Sequence, residues 1–221
     1  MQPSISFYQL IETGKVHDLS LDEFPAKVYT WNHQPVQLPN GTSTHYGYVF
    51  EGEVSIECRY GKFHLQEGMY FSIPGACIFS GDGKGFCVEQ KDFQGFFQIG
   101  GPVEWKGRLQ YIDGCTDSLL IAPPVMGDPC FNLLHIPANT FQTQHTHPSF
   151  RAGVIVSGSG VCVTPEGEKQ LIPGTVFVIP ADGLHSFKTF EEDLRVIAYH
   201  PDSDFGPTHE NHPMINRTII E

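Results

Sequence analysis

The chain has 221 residues, 40% of them hydrophobic and 17% charged, and 25 acidic against 13 basic residues give a formal net charge of −12. This composition supports a folded core, and the acidic balance argues against nucleic-acid and anionic-membrane partners, because no basic patch is available to neutralise phosphate. No apolar run reaches the roughly 18 residues of a membrane-spanning helix, and residues 1–14 lack the pattern of a secretory signal. We therefore expect a cytoplasmic protein.

Residues 46–75 (YGYVFEGEVSIECRYGKFHLQEGMYFSIPG) are the first segment with a clear pattern. Apolar residues alternate with small or polar ones, and glycine-containing turns interrupt them at intervals typical of short antiparallel strands. The whole chain, with 17 Phe, 8 Tyr, 23 Gly and 17 Pro, favours strands over long helices. This segment predicts an antiparallel sandwich or barrel.

The same pattern returns 106 residues later in residues 152–183 (AGVIVSGSGVCVTPEGEKQLIPGTVFVIPADG). No gap is needed, and the matched anchors are Gly47 with Gly153, Gly52 with Gly158, Gly68 with Gly174, and Pro74 with Pro180. Such a register indicates an internal duplication. Residues 101–128 fit a connector that also supplies a strand to the second copy, and the residues after His200 fit a surface tail.

Three histidines in the second copy stand at metal-ligand spacing. His145 and His147 form an HxH, whose side chains would share one face of a strand, and His185 follows a proline–glycine turn onto a neighbouring strand. Three imidazoles that converge leave open positions for water and substrate, as a catalytic metal requires. The alternative is a buried polar cluster without metal, which is costly because each ring then needs other partners.

These segments resemble the two cupin motifs. HTHPSFRAGVIVSGSG is similar to G(X)5HXH(X)3-4E(X)6G, and GTVFVIPADGLHSF is similar to G(X)5PXG(X)2H(X)3N, with the turn glycine one place late at Gly183. With the repeat included, the chain resembles a bicupin. The resemblance implies an all-β fold of two tandem jelly-roll type β-barrels, an N-terminal one over 1–105 and a C-terminal one over 106–221, with a metal in the second. Cupins host many reactions, so the resemblance does not choose one.

Arg151 stands where the first motif has its metal-binding glutamate. Arginine cannot donate a lone pair to a metal, so the implied site has three histidines, as in cupin thiol and diketone dioxygenases, unless a further ligand comes from elsewhere. An inward Arg151 would place a cation beside the metal, suited to a carboxylate or enolate. Otherwise it pairs with an acid or turns to solvent.

The first copy lacks the ligand set. The offset places Pro39, Gly41 and Phe79 at the positions of His145, His147 and His185, and His45 at the position of Arg151. One imidazole is too few for a metal, so we expect the N-terminal barrel to be structural, a dimerisation surface or a metal-free pocket.

Other residues have weaker claims on the site. One of Tyr199 and His200 must face inward at the end of a predicted strand, and an inward Tyr199 could hydrogen-bond a bound oxygen as a catalytic group. By the same alternation His135 is a candidate to support the site, while Gln142 and Gln144 are predicted to be surface residues. His209 and His212 form an HxxH that fits a solvated tail better than a metal site.

The resulting hypothesis is a metal-dependent cupin enzyme, dioxygenase-like or an isomerase, that acts on a small anionic substrate. Fe(II) is the first choice of metal by the resemblance, with Mn, Ni or Zn as alternatives, and the ligand set alone does not choose because imidazole suits several metals. The alternatives are a non-catalytic metal-containing bicupin that binds or senses a small ligand, and a metal-free scaffold. A homodimer and a monomer with internal pseudo-twofold symmetry are equally compatible with a duplicated barrel.

Overall fold

The computed structural model describes residues 4–38, 41–212, 214 and 218–219. Up to residue 100 the strands are β1 (Ser6–Gln9), β2 (Gly14–Leu19), β3 (Ala26–Asn32), β4 (Val36–Leu38), β5 (Ser43–Glu51), β6 (Glu53–Cys58), β7 (Gly61–Gln66), β8 (Tyr70–Pro74), β9 (Cys77–Ser80), β10 (Lys84–Lys91) and β11 (Gln98–Gly100). After it they are β12 (Leu109–Gln110), β13 (Thr116–Ile121), β14 (Cys130–Ile136), β15 (Arg151–Thr164), β16 (Gly167–Leu171), β17 (Thr175–Ile179) and β18 (Ser186–His200).

Within these described ranges a single 3-10 turn, Ile112–Gly114, is the one helical element. The prediction of an all-β chain is therefore confirmed. None of the described residues forms a helix with the length and hydropathy needed to cross a bilayer.

The strands form three antiparallel sheets. The first half contributes a six-stranded sheet in the order β11-β8-β5-β10-β3-β2 and a four-stranded sheet in the order β4-β9-β6-β7. The second half contributes an eight-stranded sheet in the order β1-β17-β15-β18-β14-β13-β12, with β16 paired to β15. The predicted connector supplies β12 and β13 to this last sheet, as its strand-like segments suggested.

The first strand of the chain joins the sheet of the second half. β1 lies at the N-terminus but pairs with β17 of the second half, where Phe7 stands opposite Phe177. β11, at the end of the first half, pairs with β8 of the same half, where Ile99 stands opposite Phe71. The division between residues 105 and 106 stays a prediction, but β1 crosses it, because its backbone hydrogen bonds complete the sheet of the second half.

The internal repeat is visible in side-chain packing. Gly47 in β5 stands opposite Phe71 in β8, and Gly153 in β15 stands opposite Phe177 in β17, at the same offset of 106 residues. A Cβ atom on Gly47 would lie 2.3 Å from the Phe71 ring, and one on Gly153 would lie 2.5 Å from the Phe177 ring. In each half the glycine therefore makes room for an inward-facing phenylalanine.

The repeat also extends to the turns. Gly52 and Gly158, which are 106 residues apart, have φ angles of 72° and 80°. These values lie in the left-handed region that glycine adopts without steric cost. The same turn in both halves therefore needs the same residue type.

The main core lies between the two halves. Residues of alternating positions on β5 and β10 pack against residues of alternating positions on β14, β15, β17 and β18. Tyr46 and Tyr199 meet there with ring centroids 5.1 Å apart. The opposite face of the first-half strands packs into a second core, where the rings of Trp31 and Phe79 lie 4.9 Å apart beside Phe71. The first half is thus filled with aromatic side chains at the place where the second half has a cavity.

Gly47→Ala tests the packing of the repeat. The added methyl group would overlap the Phe71 ring, and we expect the free energy of unfolding to fall by about 1–3 kcal/mol, as for overpacked cores. Gly41→Ala is the matched control, because the nearest atom to its Cβ is 3.8 Å away. Urea denaturation of both variants measures the difference, and equal stability would contradict the proposed steric requirement.

Candidate metal centre and its pocket

His145, His147 and His185 come together as the sequence predicted. One ring nitrogen from each can be chosen so that the three lie within 4.8 Å of one another. The ring centroids are 5.0 Å apart for His145 and His147, 4.5 Å for His145 and His185, and 5.3 Å for His147 and His185. No other such group of His, Cys, Asp or Glu occurs among the described residues.

The backbone that holds this cluster is not a regular strand, contrary to the expectation for the HxH. His145 and His185 form an isolated antiparallel bridge between β14–β15 and β17–β18 connecting segments, with N···O distances of 2.9 and 3.0 Å. The Asp182 amide donates to the His147 carbonyl oxygen at 2.8 Å. Three backbone hydrogen bonds therefore join the two loops, and this pairing aligns the rings.

Two of the rings are oriented by the same local contact. Nδ1 of His145 lies 2.7 Å from the Thr143 carbonyl oxygen, and Nδ1 of His185 lies 2.9 Å from the Gly183 carbonyl oxygen. Because a carbonyl oxygen can only accept, each Nδ1 carries the proton and donates it. Each Nε2 then keeps its lone pair, as a metal ligand must.

Asp113 supports the segment before His145. Its carboxylate accepts the backbone N–H of Thr143 at 2.7 Å and the Thr143 hydroxyl at 3.2 Å. Thr143 in turn accepts the His145 Nδ1–H, so the 3-10 turn is linked to a candidate ligand through one residue. Nothing in the sequence pattern predicts this contact, because 30 residues separate Asp113 from Thr143.

The surroundings of His147 and His185 keep these two histidines neutral. Burial first, and then Arg151 and the neighbouring histidines, lower the pKa of His147 to about 3. Burial also lowers the pKa of His185 to about 4, although its bond to Gly183 opposes the shift. Both imidazoles are therefore uncharged at neutral pH, so protons do not compete for their lone pairs.

Arg151 points inward beside the cluster. One terminal nitrogen, Nη1, donates to the Ser149 hydroxyl at 2.5 Å and to the Phe150 carbonyl oxygen at 2.9 Å, and lies 3.3 Å from Oδ1 of Asp202. The Ser149 hydroxyl donates to Asp202 as well. Burial lowers the pKa of Arg151 while Asp202 raises it, and the guanidinium stays charged.

The edge of the guanidinium that carries Nε makes no such hydrogen bond within the described residues. Nε of Arg151 is buried and has no hydrogen-bond partner among the described residues. A buried N–H without a partner is costly, so this edge is suited to an acceptor from a ligand. Arg151 was expected either to face the pocket or to pair with an acid, and in the structure it does both.

The cluster opens into a cavity of about 260 Å³. Its polar lining residues include the three histidines, Arg151, Gln142, Asp117, Asn132 and His200, and its apolar ones are Leu109, Leu134, Phe177, Ile179, Phe187, Val196 and Ala198. We call this the inner cavity. An outer cavity of about 360 Å³ shares Asp117, Asn132, His147, Arg151 and His200 with it and continues to residues 202–205.

Tyr199 lies on the wrong face of β18 for the role expected of it. Val196, Ala198 and His200 line the inner cavity, so the alternating Tyr199 points into the core between the halves. Its hydroxyl donates to Oε1 of Gln90 at 2.7 Å. The structure thus corrects the expectation of a catalytic Tyr199, and His200 occupies the inward position.

His200 lies near the cluster, with its ring centroid 6.5 Å from that of His147. Burial, with Arg151 and His147 beside it, lowers the pKa of His200 well below its usual value. His200 is therefore a neutral side chain on the cavity wall.

Two other predictions that rested on strand alternation, those for Gln142 and His135, are also wrong. Gln142 is buried and lines the inner cavity, where its Oε1 accepts the Phe187 amide at 3.2 Å, whereas Gln144 is exposed as predicted. His135 faces away from the cavity and pairs with Asp193 at 3.0 Å. The backbone around His145 is not a regular strand, so the alternation of side chains counted from His145 does not hold at Gln142 or His135.

Asp117 and Asn132 are pocket residues that the sequence analysis missed. Nδ2 of Asn132 lies 2.9 and 3.1 Å from the two carboxylate oxygens of Asp117, across the β13–β14 pair. Burial raises the pKa of Asp117 to about 6, against a partial offset from Asn132. Alternation along the two strands was the available signal, but their register was not known from the sequence.

The strand register corrects one equivalence between the halves. The ungapped offset matched His185 with Phe79, but the sheet pairing places Phe187 where Phe79 stands in the first half. His185 therefore corresponds to Cys77, two residues before Phe79. The shift arises because the β17–β18 connection is longer than the β8–β9 connection.

The remaining first-half positions also lack ligands. The bridge of His145 with His185 corresponds to the pairing of Leu38 with Cys77, while Pro39 lies outside the described residues. His45 shares the register of Arg151 but is fully buried, with Nδ1 donating to the Ile73 carbonyl oxygen at 3.3 Å. All six cysteines of the chain are free thiols.

The tail histidines lie apart from the cluster. His209 and His212 are exposed and line a separate cavity with Pro124, Val125 and Met126. They belong to no three-ligand group in the described part of the chain. The interpretation as a solvated tail therefore stays the simpler one.

The sequence matches one protein family, described as the AraC-like ligand binding domain, over residues 130–209. The match covers β14 to the end of β18 and includes the three histidines. No curated protein matches the sequence.

Solved structures resemble almost the whole chain. A cupin 2 conserved barrel domain protein from Leptotrichia buccalis is 12% identical over 91% of each chain, with a TM-score of 0.60. Protein Ylba from E. coli is 13% identical over 94% of each chain, with a TM-score of 0.62. Salicylate 1,2-dioxygenase from Pseudoaminobacter salicylatoxidans, as a mutant in complex with gentisate, is 11% identical over 91% of this chain and 84% of that one, with a TM-score of 0.63. The chain therefore has a cupin-like fold.

Tyr199→Phe separates a structural from a catalytic role. The variant leaves the buried Gln90 oxygen without its donor, so we expect the free energy of unfolding to fall by about 1–3 kcal/mol. Tyr60→Phe, at an exposed position, serves as the control and should change it by less than about 0.5 kcal/mol. Metal content should not change in either variant, and a Tyr199→Phe protein with native stability but altered metal or ligand binding would contradict this assignment.

Asp117→Asn should change how stability depends on pH. Because the folded-state pKa of Asp117 is raised to about 6, the folded protein holds a proton between about pH 4 and 6 that the unfolded chain releases. Stability from this group is therefore present below pH 4 and lost as the pH rises through 6. Relative to the native chain, the variant should gain about 2 kcal/mol between pH 4 and pH 7. Denaturation curves at both pH values test this, and a constant difference would exclude the raised pKa.

Proposed function

We propose that this protein is a metal-dependent cupin enzyme that acts on a small anionic substrate, with dioxygenase-like chemistry at a three-histidine site. The observation that carries the proposal is the cluster of His145, His147 and His185 at the wall of a cavity that also contains Arg151. A salicylate 1,2-dioxygenase shares this fold, so the fold can carry such a reaction, but it does not select it. Cupin folds host many activities, so the proposal rests on the site and not on the fold.

The donor set fits a metal ion. Two of the three rings donate through Nδ1 to carbonyl oxygens and keep Nε2 free. A histidine bound to a metal through one nitrogen commonly donates from its other nitrogen in this way. All three donors are imidazole nitrogens, which suit Fe, Zn, Cu and Ni. We propose Fe(II) as the first choice, with Mn, Ni or Zn as alternatives.

Arg151 would bind the substrate anion. Its partnerless Nε–H and the charge of the guanidinium favour a carboxylate or enolate oxygen at this edge. Asp202 and Ser149 hold the opposite side of the guanidinium in place. The apolar wall formed by residues such as Phe177 and Phe187 excludes water and strengthens this interaction.

When bound, the metal would supply open coordination positions and Lewis acidity for a chelating substrate. The protein's own contribution is to hold three imidazoles on one side, to orient an anion with Arg151, and to enclose both in a cavity of about 260 Å³. Asp113 would hold Thr143 in place, and the Thr143 carbonyl oxygen would in turn hold the His145 ring in its orientation. These roles require no movement of the sheet.

We also propose that the architecture is a bicupin, with two tandem barrels. The repeated Gly–Phe packing at an offset of 106 residues supports this arrangement, and the two strands that carry the phenylalanines, β8 and β17, each pair with a further strand, β11 and β1. The N-terminal barrel would be structural, because aromatic side chains such as Trp31 fill its interior. The cytoplasmic location and the homodimer stay predictions.

A second candidate function is non-catalytic binding or sensing of a small ligand. The match of residues 130–209 to the AraC-like ligand binding domain favours it. The same pocket would then hold its ligand without turnover. Oxygen consumption by the Fe(II)-loaded protein with salicylate or gentisate separates the two functions, because a binding protein returns the ligand unchanged and an enzyme does not.

The metal site is tested with protein purified without a polyhistidine tag. We expect about one metal ion per native chain by elemental analysis, and at a metal concentration of 100 times the Kd a stabilisation of about 2.7 kcal/mol. His147→Ala should lose both effects, because it removes one of three ligands. His209→Ala, in the exposed tail, is the matched control and should retain them.

Two results would count against the enzyme. Metal stoichiometry that is the same in His147→Ala and in the native chain would remove the proposed ligand set. Turnover that survives His147→Ala would place the chemistry elsewhere. A protein with no stoichiometric metal and unchanged stability in chelator would instead support a metal-free scaffold.

A further inference from the structure

The pocket contains a second polar feature that the proposed metal and the anion do not use. Asp117 on β13 and Asn132 on β14 lie side by side on the wall where the inner and outer cavities meet. His147, Arg151 and His200 line both cavities as well. A ligand at the metal centre would therefore lie within the same enclosure as the Asp117–Asn132 pair.

This pair offers acceptors to a ligand. Nδ2 of Asn132 donates to the carboxylate of Asp117, and Oδ1 of Asn132 is buried without a hydrogen-bond partner among the described residues. The orientation of the amide follows from this contact, because the reverse orientation would place oxygen against a carboxylate. Each Asp117 oxygen has a further lone pair beyond the one that Asn132 uses.

No cation neutralises the carboxylate. In the part of the chain that the structure describes, no Lys, Arg or His forms an ion pair with Asp117. The cavity's arginine is instead paired with Asp202. Burying an acid without a cation costs stability, and such a cost is typical of groups kept for binding or catalysis.

We propose that Asp117 and Asn132 select anionic substrates that also carry a hydrogen-bond donor, such as a hydroxyl group. The inference rests on the proposed function, since it assigns the substrate anion to Arg151. One wall then presents a donor to the anion, and the other presents acceptors to the hydroxyl. A ligand with the anion but without the donor leaves the buried Oδ1 of Asn132 and the half-buried carboxylate of Asp117 without this partner, and that loss sets the preference.

The test compares ligands that differ in one hydrogen-bond donor. Isothermal titration calorimetry on the metal-loaded full chain would use the three monohydroxybenzoates, their methoxy counterparts and benzoate. We expect at least one hydroxybenzoate to bind about tenfold or more tightly than its methoxy counterpart and than benzoate. The methoxy group keeps the oxygen and removes the donor, so the ratio reports the acceptor wall.

Variants then test whether the ratio of hydroxybenzoate to methoxybenzoate affinity depends on Asp117. Asp117→Ala should reduce it to about one while benzoate binds within about threefold of its native affinity. Asp117→Asn, which keeps the shape of the side chain, should also reduce it, because an amide offers only one oxygen. Ser118→Ala is the matched control on the opposite face of β13, where Ser118 donates to Glu104, and it should keep the ratio.

The outcomes distinguish this inference from the proposed function. Benzoate binding that depends on Arg151, with no preference for hydroxyl over methoxy, overturns the inference and leaves the anion site standing. A preference that persists in both Asp117 variants also overturns it. Failure of every acid to bind overturns both, whereas loss of the preference in both Asp117 variants and its retention in Ser118→Ala support the acceptor wall.

Discussion

Alternation along the strands of the eight-stranded sheet is the constraint on which the rest of the structure depends. Its central strands are buried on both faces, one against the first half of the chain and the other around the inner cavity. A residue on β18 therefore belongs either to the core, as Tyr199 does, or to the pocket, as His200 does. A shift of one residue would exchange the two sets, so register decides which side chains can meet a ligand.

The N-terminal strand β1 covers one edge of this two-sided sheet. β1 pairs with β17, whose inward residues Phe177 and Ile179 line the cavity and whose outward residues pack against the first half. An unpaired edge next to the site would expose backbone hydrogen-bonding groups. The first half thus contributes to the site by supporting the strands that carry it, while its own interior is closed by Trp31 and Phe79.

The cluster itself depends on a short backbone contact between two loops. The bridge of His145 with His185 places one imidazole from each loop side by side, and the i−2 carbonyl oxygens orient both rings. Arg151 adds a positive charge at the first residue of β15, which helps to keep the neighbouring histidines neutral. The histidine rings can bind a metal and Arg151 can bind an anion beside it, so the site is suited to an anion that also contacts the metal.

The sequence by itself determined the β class, the repeated pattern at an offset of 106 residues and the three histidines, because turn glycines and motif spacing depend on local backbone chemistry. It also identified Arg151 as the residue that departs from the cupin pattern. Only the tertiary structure decided that His200 and not Tyr199 faces the pocket, that Gln142 is buried, and that Asp117 stands beside Asn132. These facts depend on register and on irregular segments, where strand alternation no longer follows from residue number. The pairing of β1 with β17 is non-local in the same sense, since it joins residues about 170 positions apart.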